Sequence, residues 1–412
     1  MKIAVVDHVI NPGGGARMVR SLLPALKQEH PHLDITFFGT KYGIEREHLE
    51  EVLIPHGIKI RVLKSTLLSG KDFLKIKGSR TGIALLQNRH KGWLGYLPYY
   101  FSGAVHKELE SLIRGFDIAF FPWPFYLECP KLSCPMVGVF QDFNYKYYFS
   151  TSGFLSGMSQ AFLTQHIPDL LARFKPIVTS QFIYDELKKF YPQHAHKAIC
   201  IPLAPMGKAR DKEVLQKTLN KFQIRKPFIL YPTNVANHKN IGTVLASLMH
   251  VKKKGHDISL VLVGWGTEKI NGKACELGIE LTNQEQDVFG LGYVGHQEID
   301  ALIQSAAVVV NASFYEGNNG PALEAWAHGI PVAMSNIPSF TELLDKFQVK
   351  AAVFNPRSPV DIAEKVDQIL SQKEKARSEA AHSQESIAPF TWRRYACEYM
   401  RVFENLLAEK ST

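Results

Sequence analysis

The stretch Val308–Ala327 reads VVVNASFYEGNNGPALEAWA. Its three consecutive valines form the β-branched apolar run expected of a strand buried on both faces. Glu316-Gly317-Asn318-Asn319-Gly320 follows as a polar loop with two glycines. Pro321 suits the first turn of a helix, where a missing N–H costs nothing. Strong helix formers continue to Ala327. Strand, glycine loop and helix in that order put unpaired N–H groups, and the positive end of a helix dipole, above the end of the strand. An anionic ligand is the natural partner of such an end, and glycine lets backbone approach it closely.

The same alternation runs outward on both sides. Upstream are strands at Phe228–Tyr231, Ile258–Gly264, Val288–Val294 and Ala307–Asn311, with helices at Ile241–Lys252 and Glu298–Ser305. Downstream come a helix at Ala322–His328, strands at Pro331–Ser335 and Ala351–Phe354, and a helix at Pro359–Leu370. The N-terminal half repeats the theme. Lys2–Val6 is a strand, Asn11–Gly15 a glycine turn, Ala16–Leu26 a helix and Leu33–Phe38 a strand. Phe116–Phe121, Met136–Phe140, Ile177–Ser180 and Ala198–Leu203 are further strands, with a helix at Phe182–Phe190. Strands alternating with helices mean an α/β protein with parallel sheets. The division expected is a domain over 1–204, a polar, basic linker over 205–227, a second domain over 228–388 and a closing helix over 389–412. In that last segment Trp392, Tyr395, Tyr399, Val402, Phe403 and Leu406 share one broad stripe, which reads as structural packing.

A chain of 412 residues has room for two or three domains at about 150 residues each. With 21% charged and 45% hydrophobic residues it is not a disordered chain. Five cysteines in this length argue against a disulfide scaffold and for thiols in a reducing compartment. No apolar run is long enough to span a bilayer, and Asp7 and His8 interrupt the first apolar stretch too early for a signal peptide. A cytoplasmic protein is expected.

The net charge is +9, and residues 59–91 carry +8 of it, with Leu63, Leu67, Leu68, Phe73, Leu74 and Ile76 interleaved. This zone is a solvated face, an acceptor site for a phosphorylated or lipid-linked substrate, or a patch docking on an anionic membrane surface. The last would place the protein peripherally on the inner face of a membrane. No nucleic-acid signature accompanies the charge, so nucleic acid is not the expected partner.

Glu316 and Glu324, with seven residues between them within strand, loop and helix, resemble the Glu-x7-Glu signature of retaining nucleotide-sugar glycosyltransferases of family 4. Gly320–Ala325 and Gly329-Ile330-Pro331-Val332 resemble the rest of that family's donor site. Gly292-Tyr293-Val294 and Glu298–Ser305 are similar to its base-flanking segment, and Gly13-Gly14-Gly15 to its N-terminal glycine loop. The resemblance implies the GT-B fold: two Rossmann-like domains facing each other across a cleft, with the C-terminal helix crossing back to the first. It also implies a retaining hexosyltransferase that needs a nucleoside diphosphate sugar as co-substrate and no further cofactor. The acceptor would be a glycan or a lipid-linked glycan, as in polysaccharide biosynthesis.

By the same resemblance, Glu316 meets the donor sugar, Glu324 the donor ribose, and the amides of Gly317, Asn318, Asn319 and Gly320 the sugar hydroxyls and diphosphate. Lys239, in YPTNVANHKN, takes the family's phosphate-binding lysine position. Many members carry an arginine six residues earlier, where this chain has Thr233 beside Asn234. The His-Lys-Asn form, His238 to Asn240, resembles a branch rich in mannosyl and related transferases. Gly14, Gly15, Asn234, His238, Gly264 and Tyr293 complete the donor-binding candidates. Where many members place a histidine, Pro122-Trp123-Pro124 stands instead, an aromatic platform or core packing. Asp142, at the end of a strand, is either an acceptor-side polar residue or base, or the N-cap of a following helix. No Asp-x-Asp ends a strand, so no metal is expected. Two rivals remain: a non-catalytic partner protein of this fold, and a sugar-nucleotide epimerase, which would need more acid/base residues in the first domain.

Overall fold

The computed structural model describes residues 1–7, 14–63, 103–125, 129–147, 154–270 and 287–411. Residues 8–13 of the glycine turn, 64–91 of the basic zone, and Cys275 lie outside the described residues. The chain divides into two compact units, Met1–Pro202 with Trp392–Thr412, and Leu203–Thr391.

The first unit holds β1 (Lys2–Asp7), β2 (Asp34–Gly39), β3 (Lys59–Val62), β4 (Ile118–Phe121), β5 (Met136–Phe140), β6 (Phe174–Val178) and β7 (Ile199–Cys200). They lie in the order β3-β2-β1-β4-β5-β6-β7, every pair parallel. On one face Val6, Phe38, Phe121, Phe140 and Phe174 form a core, with the Phe121 and Phe174 rings edge to face at 5.0 Å. The closing helix, Trp392–Ser411, belongs to this unit. Its expected stripe is buried at Trp392, Tyr395, Tyr399, Val402 and Phe403. Tyr399 and Phe403 each meet the ring of Phe120 at 5.6 Å, and Arg393 pairs with Glu29 of the helix Gly14–Glu29.

The second unit holds β8 (Phe228–Pro232), β9 (Ser259–Val263), β10 (Val288–Gly290), β11 (Val308–Asn311), β12 (Val332–Ser335) and β13 (Ala352–Phe354). Their order is β10-β9-β8-β11-β12-β13, again parallel throughout. Ile229, Tyr231, Leu260, Leu262, Val308 and Val310 face Val244, Leu245, Leu248, Ile362 and Val366 of the helices Ile241–Lys253 and Pro359–Ser371. Each such side chain, once buried, stabilises the fold by about 1.5–3 kcal/mol before entropy is counted. Phe228, Leu230, Leu323 and Trp326 are buried as well, which is why these strands read as continuous apolar runs.

Both sheets are doubly wound. The strand order reverses between β1 and β4, and again between β8 and β11. Just beyond the carboxyl ends at such a reversal, neighbouring connections leave in opposite directions and open a crevice where ligands bind.

The basic zone opens with β3, an edge strand whose Lys59, Arg61 and Val62 are exposed. Charge on an edge strand prevents unwanted pairing, and it hides the strand from a hydrophobicity reading. The stretch 205–227, expected as a linker, carries the helix Lys212–Lys221 and lies within the second unit. Asp211 caps that helix by accepting from the Val214 N–H at 2.9 Å, and Leu219 is buried. Among the described residues, no helix is long and apolar enough to cross a membrane.

Candidate functional site

Lys239 and Glu316 are brought together at the reversal in the second sheet. Lys239 follows β8 in a short 3-10 turn, Asn237–Lys239, and Glu316 follows β11. The Lys239 ammonium donates to Glu316 Oε1, and the two side chains are 19% and 17% exposed. Ser313 donates to the same carboxylate oxygen at 2.7 Å and to Asn311 Oδ1 at 3.0 Å. The buried Tyr231 hydroxyl donates to the Lys239 carbonyl and lies 3.5 Å from Ser313 Oγ. Burial in this apolar setting pushes the Tyr231 phenol up, so it stays protonated as a donor.

His238 is buried and its carbonyl accepts the Phe314 N–H at 2.8 Å, which ties the two loops together. Burial, and then the neighbouring Lys239, lower its pKa to about 4, so the imidazole is neutral at neutral pH. Asn240 donates to the carbonyls of Ala312 and Pro356, at 3.0 and 2.6 Å. Arg357 then stands over the Phe314 ring at 4.9 Å. Asn234 accepts from the Ala236 N–H at 3.0 Å and shapes the turn that precedes Lys239.

The loop Gly317–Gly320 leads into the helix Gly320–Ala327. Asn319 is its cap: Oδ1 accepts the Ala322 N–H at 3.2 Å and Asn311 Nδ2 at 2.9 Å. The Asn319 side chain is fully buried and committed to the fold, while Asn318 Oδ1 accepts the Asn319 N–H at 2.7 Å. Glu324 is fully buried one turn on. Behind it, a side chain at Gly207 would lie 3.7 Å from Glu324 Cγ and 3.2 Å from both Asp300 Oδ1 and His328 Nε2. Arg210 clamps this backbone by donating to the buried Asp300 at 2.7 and 3.2 Å, with the Lys208 N–H adding a bond at 3.2 Å.

Gly264 and Gly292 are adjacent at the ends of β9 and β10, joined by the Gly264 N–H to Gly292 carbonyl bond at 2.7 Å. Thr267 Oγ1 donates to the Gly264 carbonyl and accepts the Gly292 N–H, each at 2.9 Å. Trp265 and Tyr293, one residue beyond each glycine, are large exposed aromatics. Asp142, Gly14 and Gly15 belong to the first unit. Gly14 and Gly15 open the helix Gly14–Glu29. Asp142 Oδ1 accepts the Asn144 N–H at 3.0 Å, while the 3-10 turn Asn144–Lys146 that follows has Phe143, not Asp142, at its cap position.

Residues 215–385 match the family model described as glycosyl transferases group 1. This domain carries Lys239, Glu316 and Glu324. An uncharacterized glycosyltransferase of Methanocaldococcus jannaschii is 30% identical over 145 residues, 35% of each chain. An MMP alpha-(1->4)-mannosyltransferase of Mycolicibacterium hassiacum is 27% identical over 254 residues, 60% of this chain and 56% of that one. The chain spans 35% to 46% of the length of the first curated relatives it matches. Among solved structures, Anabaena HepE in complex with UDP and glucose aligns over 98% of this chain and all of its own, at a TM-score of 0.69 and 15% identity. The fold is therefore the expected GT-B type with two Rossmann-like domains.

Sequence reasoning picked out Lys239 and Glu316 but missed Ser313, Tyr231 and the Gly207–Asp300–Arg210 clamp. Ser313 stood in the quoted stretch, three residues before Glu316. Tyr231 stood only as the last residue of an expected strand. The clamp joins residues some ninety positions apart and has no local signal.

Proposed function

We propose that this protein is a retaining glycosyltransferase. It moves a hexose from a nucleoside diphosphate donor to a glycan or lipid-linked acceptor. The observation that carries the reading is the convergence of Lys239 and Glu316 at the β8/β11 reversal, inside the domain that matches group 1 glycosyltransferases. A nucleoside diphosphate leaving group gains negative charge as the glycosidic bond breaks. A lysine and backbone N–H groups fixed beside it stabilise that transition state more than the ground state. Glu316 faces the sugar, accepts from its hydroxyls and opposes the positive charge developing on the ring. Glu324 holds the ribose. The neutral His238 adds no competing charge. Relatives named as O-antigen chain and MMP mannosyltransferases support a mannose-type sugar.

Thermal shift with UDP-, GDP- and ADP-sugars should identify a donor, because a ligand that binds only the folded state raises its melting temperature by mass action. With that donor, Glu316→Ala and Lys239→Ala should each lower turnover by about 100-fold or more, the scale of one lost transition-state contact. Near-normal transfer by both variants would overturn the site assignment.

A further inference from the structure

The bond between the Lys239 ammonium and the Glu316 carboxylate has a consequence for what the site will accept. The pair is held from three directions, by Ser313 on the carboxylate, by Tyr231 on the Lys239 carbonyl, and by the Phe314 N–H on the His238 carbonyl. Both side chains are more than four-fifths enclosed. An enclosed pair of opposite charges offers little net field to a polyanion. A diphosphate that draws Lys239 towards itself competes with Glu316 for the ammonium. The carboxylate left behind keeps the Ser313 hydroxyl but loses its ammonium partner, and a mostly enclosed charge with one donor is costly. A carboxylate accepts up to about four hydrogen bonds. The hydroxyls of a donor sugar can supply them; a bare nucleoside diphosphate brings none to that end.

Resting on the nucleotide-sugar reading above, we infer that Glu316 is also a specificity residue. By holding Lys239, it makes the site select a complete nucleotide-sugar over the nucleoside diphosphate that remains after transfer. Donor binding is then an exchange of partners, Lys239 passing to the diphosphate while Glu316 passes to the sugar hydroxyls. After transfer the sugar leaves with the acceptor, Glu316 reclaims Lys239, and the diphosphate is displaced.

The test is calorimetric titration of the full chain with UDP, UDP-glucose, GDP and GDP-mannose, in the wild type and in Glu316→Gln. In the wild type, the nucleotide-sugar of the pair that binds should bind about tenfold more tightly than its diphosphate, the lower end for close charge pairs. Glu316→Gln should tighten the diphosphate about tenfold and leave the nucleotide-sugar no tighter, so that the preference collapses. Equal wild-type affinities for sugar-bearing and bare nucleotides would overturn the inference while leaving the donor-site reading intact. So would a Glu316→Gln effect of the same size on both ligands, which is a general charge effect. If neither pair binds the wild type, and ADP with ADP-glucose does not bind either, the donor-site reading itself falls, and this inference with it. The wild-type preference needs no variant, so a poorly folding Glu316→Gln would not spoil the test.

Discussion

Replacing Gly264 by alanine would drive a methyl group into the carbonyl oxygen of Thr233. An ideal Cβ at Gly264 lies 1.9 Å from that oxygen and 2.9 Å from its carbon. Close carbon–oxygen contacts in proteins begin near about 3.3 Å, so the two loops must part by more than 1 Å. Parting them strains the Thr233 N–H to Val263 carbonyl and Gly264 N–H to Gly292 carbonyl bonds, both 2.7 Å. Each lost bond costs about 1 kcal/mol. The φ of +137° adds about 1–3 kcal/mol for any side chain. The total is on the order of 4 kcal/mol. Gly255 is the matched control, with φ at +91° but nothing within 4 Å of its Cβ. Gly255→Ala therefore carries the backbone cost alone, about 1 kcal/mol. At roughly 2–4 °C per kcal/mol for a unit of this size, calorimetry should show losses of about 8–16 °C and 2–4 °C respectively. Thr233 begins the loop that carries Lys239, so Gly264→Ala should also weaken nucleotide-sugar binding, and Gly255→Ala should not. If the two variants melt within about 2 °C of each other, close backbone approach is not what Gly264 provides.

Two further predictions concern groups buried around Lys239. His238 titrates near 4 in the folded chain and near 6.5 when unfolded. Between those values the unfolded chain binds more protons, so its contribution to stability is complete above pH 6.5 and is lost as pH falls towards 4. About 2 kcal/mol should disappear between pH 7 and 4.5 in urea melts, and His238→Gln should remove that part of the slope; an unchanged slope would contradict the burial argument. Tyr231→Phe deletes a buried hydroxyl and leaves the Lys239 carbonyl without that donor. It should lower the denaturation midpoint by about 1–2 kcal/mol of stability at unchanged m-value. An unchanged midpoint would mean that the hydroxyl does not brace the lysine loop.

Much of the second unit was legible because its strands are short apolar runs and its turns carry glycine and proline. Val308–Asn311, Pro321 and the helix that follows stand where the residue pattern places them. The strand β3 was not legible, since an exposed basic edge strand looks like a charge run. The helix at Lys212–Lys221 has a weak apolar face, and its place is set by the distant helix His296–Ser305, whose Glu298 pairs with Lys221. At the site, residue types suggested Lys239 and Glu316 but could not say that they bond to each other. That contact depends on two loops leaving neighbouring strands some eighty residues apart in sequence.

The helix Trp392–Ser411 lies after the second unit in sequence but packs in the first. During synthesis from the N-terminus, Phe120 emerges long before Tyr399 and Phe403, its partners. The nascent first unit must hold an uncovered apolar face while the whole of Leu203–Thr391 is translated, and the last helix closes it only after the second unit is available to fold. At about 5–20 residues per second, that wait lasts on the order of ten seconds or more, a window in which a chaperone can reach that face.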